Sequence, residues 1–405
     1  MTRSSLLLLL LCGAVLCAAP PVRAEAPFVE NPAEPAAGRA TVTLVREWSL
    51  GGEDDEENFF GIVGEVFADD AGNVYLVDNQ LAEVQVFDPR GAWLRTLGRR
   101  GDGPGEVRNL RTALLMPDGS LGLVQAFPGQ VVTVQQDGAP GLTMVPGRTD
   151  PTSGGFMALN TAAGRGGTLA FSGTRMQRRE QSALRTSYIA TFAPDGAPLA
   201  EVVTKELETQ MAATRIDEAE EDFANERWTI GPDGLLYVAA ARNGYRVDVH
   251  APDGTLVRSF GRAYTPVRRT AAEKEQVEDT LQPWRRNNRD SFQFEVLETE
   301  PDILRLHVLP GGEVWVLTSR GVRERQPGEM AVYDVFDPAG RFVRQAGLAC
   351  DGDPRRDALF PVGAGRWVLV RGHAEALRSL FGMMGGGGGE PSDTLLEIIS
   401  YRVGE

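Results

Sequence analysis

Apolar and polar positions follow one recurring pattern along this chain: an apolar strand, a tight turn and a second β-rich strand. Asp and Gly occupy the turns, where they supply the backbone conformations that a tight hairpin needs. The flanking β-branched and aromatic residues suit half-buried strands. The pattern occurs over residues 65–78, 114–124, 159–171, 228–238, 306–316 and 359–370. The sequence therefore predicts an all-β protein built from repeated hairpins.

A second hairpin follows five of the six copies, again with Asp or Gly in its turn. These turns lie at residues 87–91, 136–138, 193–196, 251–254 and 336–340. Two hairpins per unit make four antiparallel strands, which is the composition of one β-propeller blade. The copies therefore predict a six-bladed β-propeller over residues 41–405. Insertions are expected near residues 205–224, 262–302 and 373–392, where the chain between strands is longest.

The two ends of the repeat region complement each other. The sixth unit lacks a fourth strand, because the chain stops shortly after the apolar segment 395–402. Residues 41–50 alternate like a strand but precede the first unit. A propeller can close its ring by pairing an N-terminal strand into the last blade, so that no strand edge stays open. We therefore predict that the N-terminal strand completes the last blade.

Three segments of the first unit resemble the NHL-repeat family of six-bladed propellers. They are Gly-Asn-Val-Tyr-Leu-Val-Asp at 72–78, Val-Gln-Val-Phe-Asp-Pro at 84–89 and Leu-Gly-Arg-Arg-Gly-Asp-Gly-Pro-Gly-Glu at 97–106. As architecture, the resemblance covers most of residues 41–405. Relatives in that family include binding scaffolds, lactonase-like hydrolases and amidating lyases. The resemblance therefore implies the fold and leaves the function open.

The N-terminus is typical of a secretory signal peptide. Arg3 precedes an apolar stretch from Leu6 to Ala19, and small or branched residues lead to a cleavage point after Ala24. Cys12 and Cys17 raise lipidation as an alternative, but bulky residues precede them, so plain export is favoured. No later segment is apolar enough to span a membrane. We expect a secreted or periplasmic protein with residues 25–40 as a flexible lead.

Charge and cysteine content narrow the choice of partners. The chain has 41 basic and 56 acidic residues and a formal net charge of −15, which argues against nucleic acid or an anionic membrane as a general partner. Signal cleavage leaves Cys350 as the single cysteine, so the exported chain has no internal disulfide. The fold must therefore be stabilised by its apolar core.

Few residues of this sequence are candidates for binding a metal ion. The chain has three histidines, His250, His307 and His373, and none belongs to a His-x-His or His-Glu-x-x-His motif. His307 lies on a predicted inner strand, with Arg305 two residues away on the same face. A packed strand residue is the favoured interpretation of His307. The alternative is a hydrolase or lyase that uses calcium or zinc in the central channel, with His307 and Arg305 at its active site.

The favoured function is a non-catalytic binding propeller that engages a protein or another ligand through loops on one face. Trp and Arg dominate interface hot spots, so the binding candidates in the insertion 262–302 are Trp284, Arg285, Arg286 and Arg289. No cofactor is predicted for this function, and the sequence leaves the oligomeric state open. A structural envelope component is a third possibility. Apolar residues at helical spacing within 376–384 predict a packed helix or a mobile lid.

Overall fold

The computed structural model describes residues 26–53, 55, 58–146, 155–210, 215–281, 293–363, 365–384 and 395–404. The predicted signal peptide, residues 1–24, lies outside these ranges. Within them β-strands are the main regular structure, and there are four short helices. Two strands, β1 (Phe28–Asn31) and β2 (Arg39–Gly51), come first and join sheets whose other strands lie far along the chain.

Three four-stranded antiparallel sheets then follow one another, each with its strands in sequence order. The first sheet contains β3 (Val63–Ala68), β4 (Val74–Asp78), β5 (Glu83–Phe87) and β6 (Trp93–Leu97). The second contains β7 (Leu110–Leu115), β8 (Leu121–Gln125), β9 (Gln130–Val134) and β10 (Pro140–Met144). The third contains the longer strands β11 (Gly155–Arg165), β12 (Thr168–Arg178), β13 (Ser182–Phe192) and β14 (Pro198–Gln210).

The fourth sheet is preceded by a small insertion and gains a fifth strand from the N-terminus. The insertion holds β15 (Arg215–Asp217) and α1 (Glu218–Glu221). The sheet contains β16 (Trp228–Ile230), β17 (Leu236–Val238), β18 (Arg246–His250) and β19 (Leu256–Arg262). β1 pairs with β19 in parallel. A second insertion follows, with α2 (Ala271–Leu281) and β20 (Gln293–Glu295), and β20 pairs in parallel with β15.

The remaining strands form one eight-stranded sheet in the order β21-β22-β23-β24-β2-β27-β26-β25. Its elements are β21 (Ile303–Val308), β22 (Val314–Thr318), α3 (Ser319–Arg323), β23 (Glu329–Phe336), β24 (Phe342–Ala349), β25 (Ala358–Gly363), β26 (Arg366–Arg371), α4 (His373–Met384) and β27 (Glu397–Val403). β2 lies in the middle. Its first part, 39–43, runs parallel to β24, and its second part, 44–51, runs antiparallel to β27.

Contacts between the first strands of successive sheets arrange these sheets in a ring. β3 contacts β7, β7 contacts β11, β11 contacts β16 and β16 contacts β21. β25, at the far edge of the eight-stranded sheet, contacts β3 and so returns to the start. Sheets placed radially around a centre, with their first strands innermost, form a β-propeller. The predicted all-β propeller fold is therefore confirmed.

Buried apolar side chains lie between neighbouring sheets. One cluster, for example, joins Val66 and Leu76 of the first sheet to Phe360 and Ile398. Each sheet has a neighbour on both faces, so its strands are buried on both sides and read as nearly continuous apolar runs. β4 illustrates this, because all five of its residues are buried.

Part of the expected flexible lead, residues 25–40, is ordered instead. β1 occupies residues 28–31, and Asn31 is buried between two sheets. Asn31 Nδ2 donates to the carbonyl oxygens of Gly261 and Gly340, each at 2.9 Å, and Asn31 Oδ1 accepts from the N–H of Phe342 at 2.8 Å. One amide side chain thus satisfies three buried backbone groups, and this fixes the segment.

Candidate functional site

The longest connections lie on one face of the ring, which we name the entry face. It is the face at which the inner strands β3, β7, β11, β16, β21 and β25 begin. Strand direction alternates within each sheet, so connections that lead into an inner strand, or from a second to a third strand, lie on this face. The insertion before β16, the insertion before β21 and helix α4 all satisfy that condition. The entry face therefore carries both insertions and helix α4.

The first two insertions are joined to each other by Glu218, at the start of α1. Its carboxylate accepts hydrogen bonds from Arg242 Nη2 at 2.7 Å, Arg269 Nη1 at 2.6 Å and the backbone N–H of Leu297 at 2.8 Å. Burial opposes the negative charge, but these donors outweigh it, and the pKa of Glu218 is lowered. Glu218 therefore remains charged and holds the insertions together beside the ring.

A set of polar side chains from separate sheets meets at the centre of the ring near the entry face. We name it the polar centre, and its members are Glu65 of β3, Arg111 and Thr112 of β7, Glu226 just before β16, and Arg305 of β21. Thr112 Oγ1 donates a hydrogen bond to Glu65 Oε2. Arg305 Nη2 donates to Glu226 Oε2 at 2.7 Å. These contacts bridge the first sheet to the second and the fourth sheet to the eight-stranded sheet.

The Arg305–Glu226 pair is open to water from inside the ring. The Arg305 side chain is 32% exposed and the Glu226 side chain 61%. Both are nevertheless flanked by charged groups of other sheets, since Arg305 and Arg111 each act electrostatically on Glu226 and on Glu65. The pair therefore lines a wet cavity at the ring centre and does not belong to the outer surface.

Neighbouring side chains hold the members of the polar centre in place. Asn79 Nδ2 donates to the carbonyl oxygens of Leu110 and Arg111, each at 2.8 Å, which fixes the backbone at Arg111. Gly64 makes room for this contact, because a Cβ there would lie 2.0 Å from Asn79 Oδ1. Any larger residue at position 64 would displace Asn79 and with it Arg111.

The segment that presents Glu226 is fixed against the third sheet. Thr161 Oγ1 donates to the carbonyl oxygen of Asn225 at 3.1 Å, and Trp228 Nε1 donates to Thr161 Oγ1 at 3.1 Å. On the other side, Arg227 forms two hydrogen bonds with Asp222, at 3.0 and 2.7 Å. Both neighbours of Glu226 are therefore anchored, and its side chain projects from a rigid backbone.

The two carboxyl groups of the polar centre differ in their proton affinity. Burial raises the pKa of Glu65 to about 7, although Arg305 and Arg111 oppose that effect. The pKa of Glu226 is lowered, chiefly by Arg305. Glu226 therefore stays charged near neutral pH, while Glu65 exchanges a proton in that range. A carboxyl group with a pKa near 7 is able to accept or release a proton during binding or catalysis.

Two of the three histidines lie near the polar centre, and both are neutral at pH 7. Burial and Arg305 lower the pKa of His373, at the start of α4, to about 4. The same two causes lower the pKa of His307 to about 3. The Nε2 atom of each ring is buried and has no hydrogen-bond partner within the part of the chain that the structure describes. Both histidines therefore contribute polarity without charge.

Arg305 and His307, which the sequence places together at an alternative active site, have different contacts in the structure, although Arg305 acts electrostatically on His307. Arg305 points to Glu226 in the polar centre. The ring of His307 packs instead near Tyr333 and Trp367, at centroid distances of 6.0 and 6.5 Å. His250 lies far out on β18, where its Nδ1 is 3.1 Å from the carbonyl oxygen of Gly254. Across the described ranges, no three His, Cys, Asp or Glu side chains are grouped to hold a metal ion.

The predicted binding residues Trp284, Arg285, Arg286 and Arg289 lie outside the described residues. Glu65, Arg111 and Glu226 were not expected from the sequence. A signal for Glu65 was present, because it is a charged residue at the start of an otherwise apolar inner strand. Glu226 and Arg111 carry no comparable local signal, since only the closure of the ring brings them near Glu65.

Two solved structures share this fold, and a third has a lower similarity. A candidate exported protein from Bacteroides fragilis has a TM-score of 0.52 and 10% sequence identity, over 93% of this chain and 100% of that chain. A DUF4221-family protein from Bacteroides vulgatus has a TM-score of 0.50 and 10% identity, over 90% and 99%. Virginiamycin B lyase from Staphylococcus aureus has a TM-score of 0.40 and 10% identity, over 87% and 98%. No protein-family model and no curated protein matches this chain.

Proposed function

We propose that this protein is an exported ligand-binding β-propeller whose site is the polar centre, rimmed by the insertions of the entry face. The observation that carries the proposal is the assembly of two guanidinium and two carboxyl groups from separate sheets at the ring centre. Core packing does not require charged groups there, and concave sites with a few convergent polar groups are the usual form of small-molecule sites. The propeller supplies a rigid frame, and the insertions supply variable walls.

The proposal includes six blades with NHL-like character, closed by the N-terminal strand. In support, the eight-stranded sheet packs on itself: Trp315 and Tyr333 contact Trp367 and Tyr401 across it. A sheet that folds in this way is two blades joined by β2, which serves as an added strand for one and the fourth strand for the other. Six apolar clusters then separate six units.

Export is proposed from the N-terminal sequence, residues 1–24. Within the described ranges, no helix has the length and apolar character needed to cross a membrane. The described parts of the insertion 262–302 lie on the entry face, and we propose that its predicted binding residues Trp284, Arg285, Arg286 and Arg289 contribute to ligand binding. Deleting residues 265–298 is therefore expected to weaken ligand binding while the ring stays folded, as judged by circular dichroism.

A ligand screen with paired variants tests the proposed site. The mature protein is screened by thermal shift against neutral, cationic and anionic small molecules. Hits should be lost in Arg305→Met and kept in Arg344→Met. Arg344 is the matched control because it pairs with Glu313 through two hydrogen bonds, at 2.7 and 2.8 Å, on the outer strand β24. Hits that survive Arg305→Met but disappear on deletion of 265–298 would place the site on the rim and contradict the proposal.

A further inference from the structure

Arg305 has hydrogen-bond donors that no described residue uses. Its Nη2 donates to Glu226, and Nε and Nη1 have no hydrogen-bond partner in the described part of the chain. Other arginines of the entry face are better satisfied. Arg227, for example, bonds Asp222 through both Nη atoms and the carbonyl oxygen of Ala239 through Nε. A solvent-accessible guanidinium with spare N–H groups is suited to an oxyanion such as a carboxylate or phosphate.

Glu65 is the second incomplete group. Thr112 is the one described residue that donates a side-chain hydrogen bond to it. Arg305 influences Glu65 electrostatically but forms its ion pair with Glu226 and none with Glu65. Glu65 therefore lies close to positive charge without a direct partner for it. An anion that accepts hydrogen bonds from Arg305 would therefore also lie near Glu65.

We propose that the polar centre binds the oxyanion group of a small ligand, which accepts hydrogen bonds from Arg305 while Glu65 takes up a proton. This inference rests on the proposed function and adds the class of ligand and its dependence on pH. In the bound state the protonated Glu65 carboxyl is itself a donor to the oxyanion. A carboxylate, sulfate or phosphate group would meet these requirements.

The charges that face Glu65 from each neighbouring element agree with this arrangement. β7 supplies Arg111, β21 supplies Arg305, and the segment before β16 supplies Glu226. His373 of α4 lies near the Arg305–Glu226 pair but is uncharged at neutral pH. With Glu65 protonated, two positive charges face the single negative charge of Glu226. A bound anion then faces one ionised carboxylate, whereas an ionised Glu65 would repel it as well.

The direction of the pH effect follows from the raised pKa of Glu65. Below about pH 7 Glu65 already carries the proton, so the anion binds without proton uptake. Above that value the proton must be taken from solvent, and the affinity falls by up to tenfold for each pH unit. An anion near Glu65 raises the pKa further, because like charge disfavours ionisation.

Isothermal titration of the mature protein with sulfate and with benzoate tests the inference. We expect binding about tenfold or more weaker at about pH 8.5 than at about pH 5.5. Repeating the titrations at the higher pH in two buffers of different ionisation enthalpy should show close to one proton taken up per anion. Equal affinity at both pH values without proton uptake would overturn the inference, as would no binding of either anion.

Amino-acid substitutions show which residues cause the pH-dependent binding of anions. Arg305→Met should abolish anion binding, and the matched control Arg344→Met should leave it unchanged. Glu65→Gln, which imitates the protonated carboxyl, should bind with similar affinity at both pH values and take up no proton. If Glu65→Gln does not fold, the titrations of the unaltered protein in two buffers still show whether a proton is taken up on binding. Arg305-dependent ligands that are all neutral or cationic would overturn this inference and leave the proposed function standing.

Discussion

Two arginine–carboxylate pairs of this propeller have the same chemistry and opposite surroundings. Arg262 and Asp334 lie between the fourth sheet and the eight-stranded sheet, where their side chains are 6% and 2% exposed. Arg305 and Glu226 join the same two sheets at the ring centre, where the exposures are 32% and 61%. One pair is enclosed by protein and the other is open to the cavity.

The charged groups of the enclosed pair have hydrogen-bond partners and aromatic neighbours. Asp334 accepts hydrogen bonds from Arg262, Tyr245 and Gln345, each at 2.8 Å. The guanidinium lies over the rings of Tyr245 and Tyr264, at 4.8 and 5.0 Å. Such a network rigidifies the junction of two sheets and leaves no group for a ligand. The difference teaches that unsatisfied donors, and not the presence of a buried charge, distinguish a candidate site from a structural pair.

Removing one partner of the enclosed pair should have the largest effect on stability. Asp334→Ala leaves the Arg262 guanidinium buried without its counter-ion, and such changes cost about 3–5 kcal/mol. Urea unfolding followed by tryptophan fluorescence measures the loss. The matched change in the open pair, Glu226→Ala, should cost less than about 1 kcal/mol because water replaces the partner. Equal losses for the two variants would remove the distinction between the pairs.

Glu65 should make the stability of the folded protein depend on pH. Its folded pKa is raised from 4.5 to about 7, so its stabilising contribution is complete below pH 4.5 and is lost as pH rises to about 7. The loss is at most about 3.5 kcal/mol, since one pKa unit corresponds to about 1.4 kcal/mol. Glu65→Gln should therefore gain stability over the unaltered protein as pH rises from 5 to 8. Parallel urea-unfolding profiles for the two proteins would show that Glu65 is not responsible.

The N-terminal segment near the enclosed pair should contribute a smaller amount. Asn31→Ala leaves buried backbone groups of two sheets without partners, for an expected cost of about 2 kcal/mol. Faster proteolysis between residues 26 and 38 should accompany that loss. Glu30→Ala is the control, because Glu30 is exposed on the same strand and its removal should change neither quantity. Equal cleavage rates in all three proteins would argue against a fixed segment.

Arg305→Met should have the smallest effect on stability. The open pair is solvent-accessible in the folded protein, so its loss should change the free energy of unfolding by less than about 1 kcal/mol. Arg262→Met, which removes the buried partner of Asp334, should be clearly more destabilising. Thermal unfolding of both variants, side by side, provides the comparison. A large loss for Arg305→Met would indicate that this arginine holds the ring together.

The sequence predicted the repeated hairpins because their turns depend on local residues such as Gly72 and Gly119, both of which adopt positive φ. It also named Arg305, as a candidate for an alternative active site. The polar centre needs Glu65, Arg111 and Glu226 to meet, and their proximity depends on the ring, which no local pattern encodes. The ordering of residues 28–31 escaped prediction for the same reason, since the partners of Asn31 are Gly261, Gly340 and Phe342.

The most direct test of this account compares the chemical reactivity of the two arginines in one sample. Folded mature protein is treated with phenylglyoxal, with and without sulfate, and modified arginines are located by mass spectrometry. The account predicts that Arg305 reacts and is protected by sulfate, whereas Arg262 reacts only after unfolding. Similar reactivity of Arg262 and Arg305 would contradict the claim that the open pair is accessible to a ligand. No protection of Arg305 by sulfate would contradict anion binding at that pair.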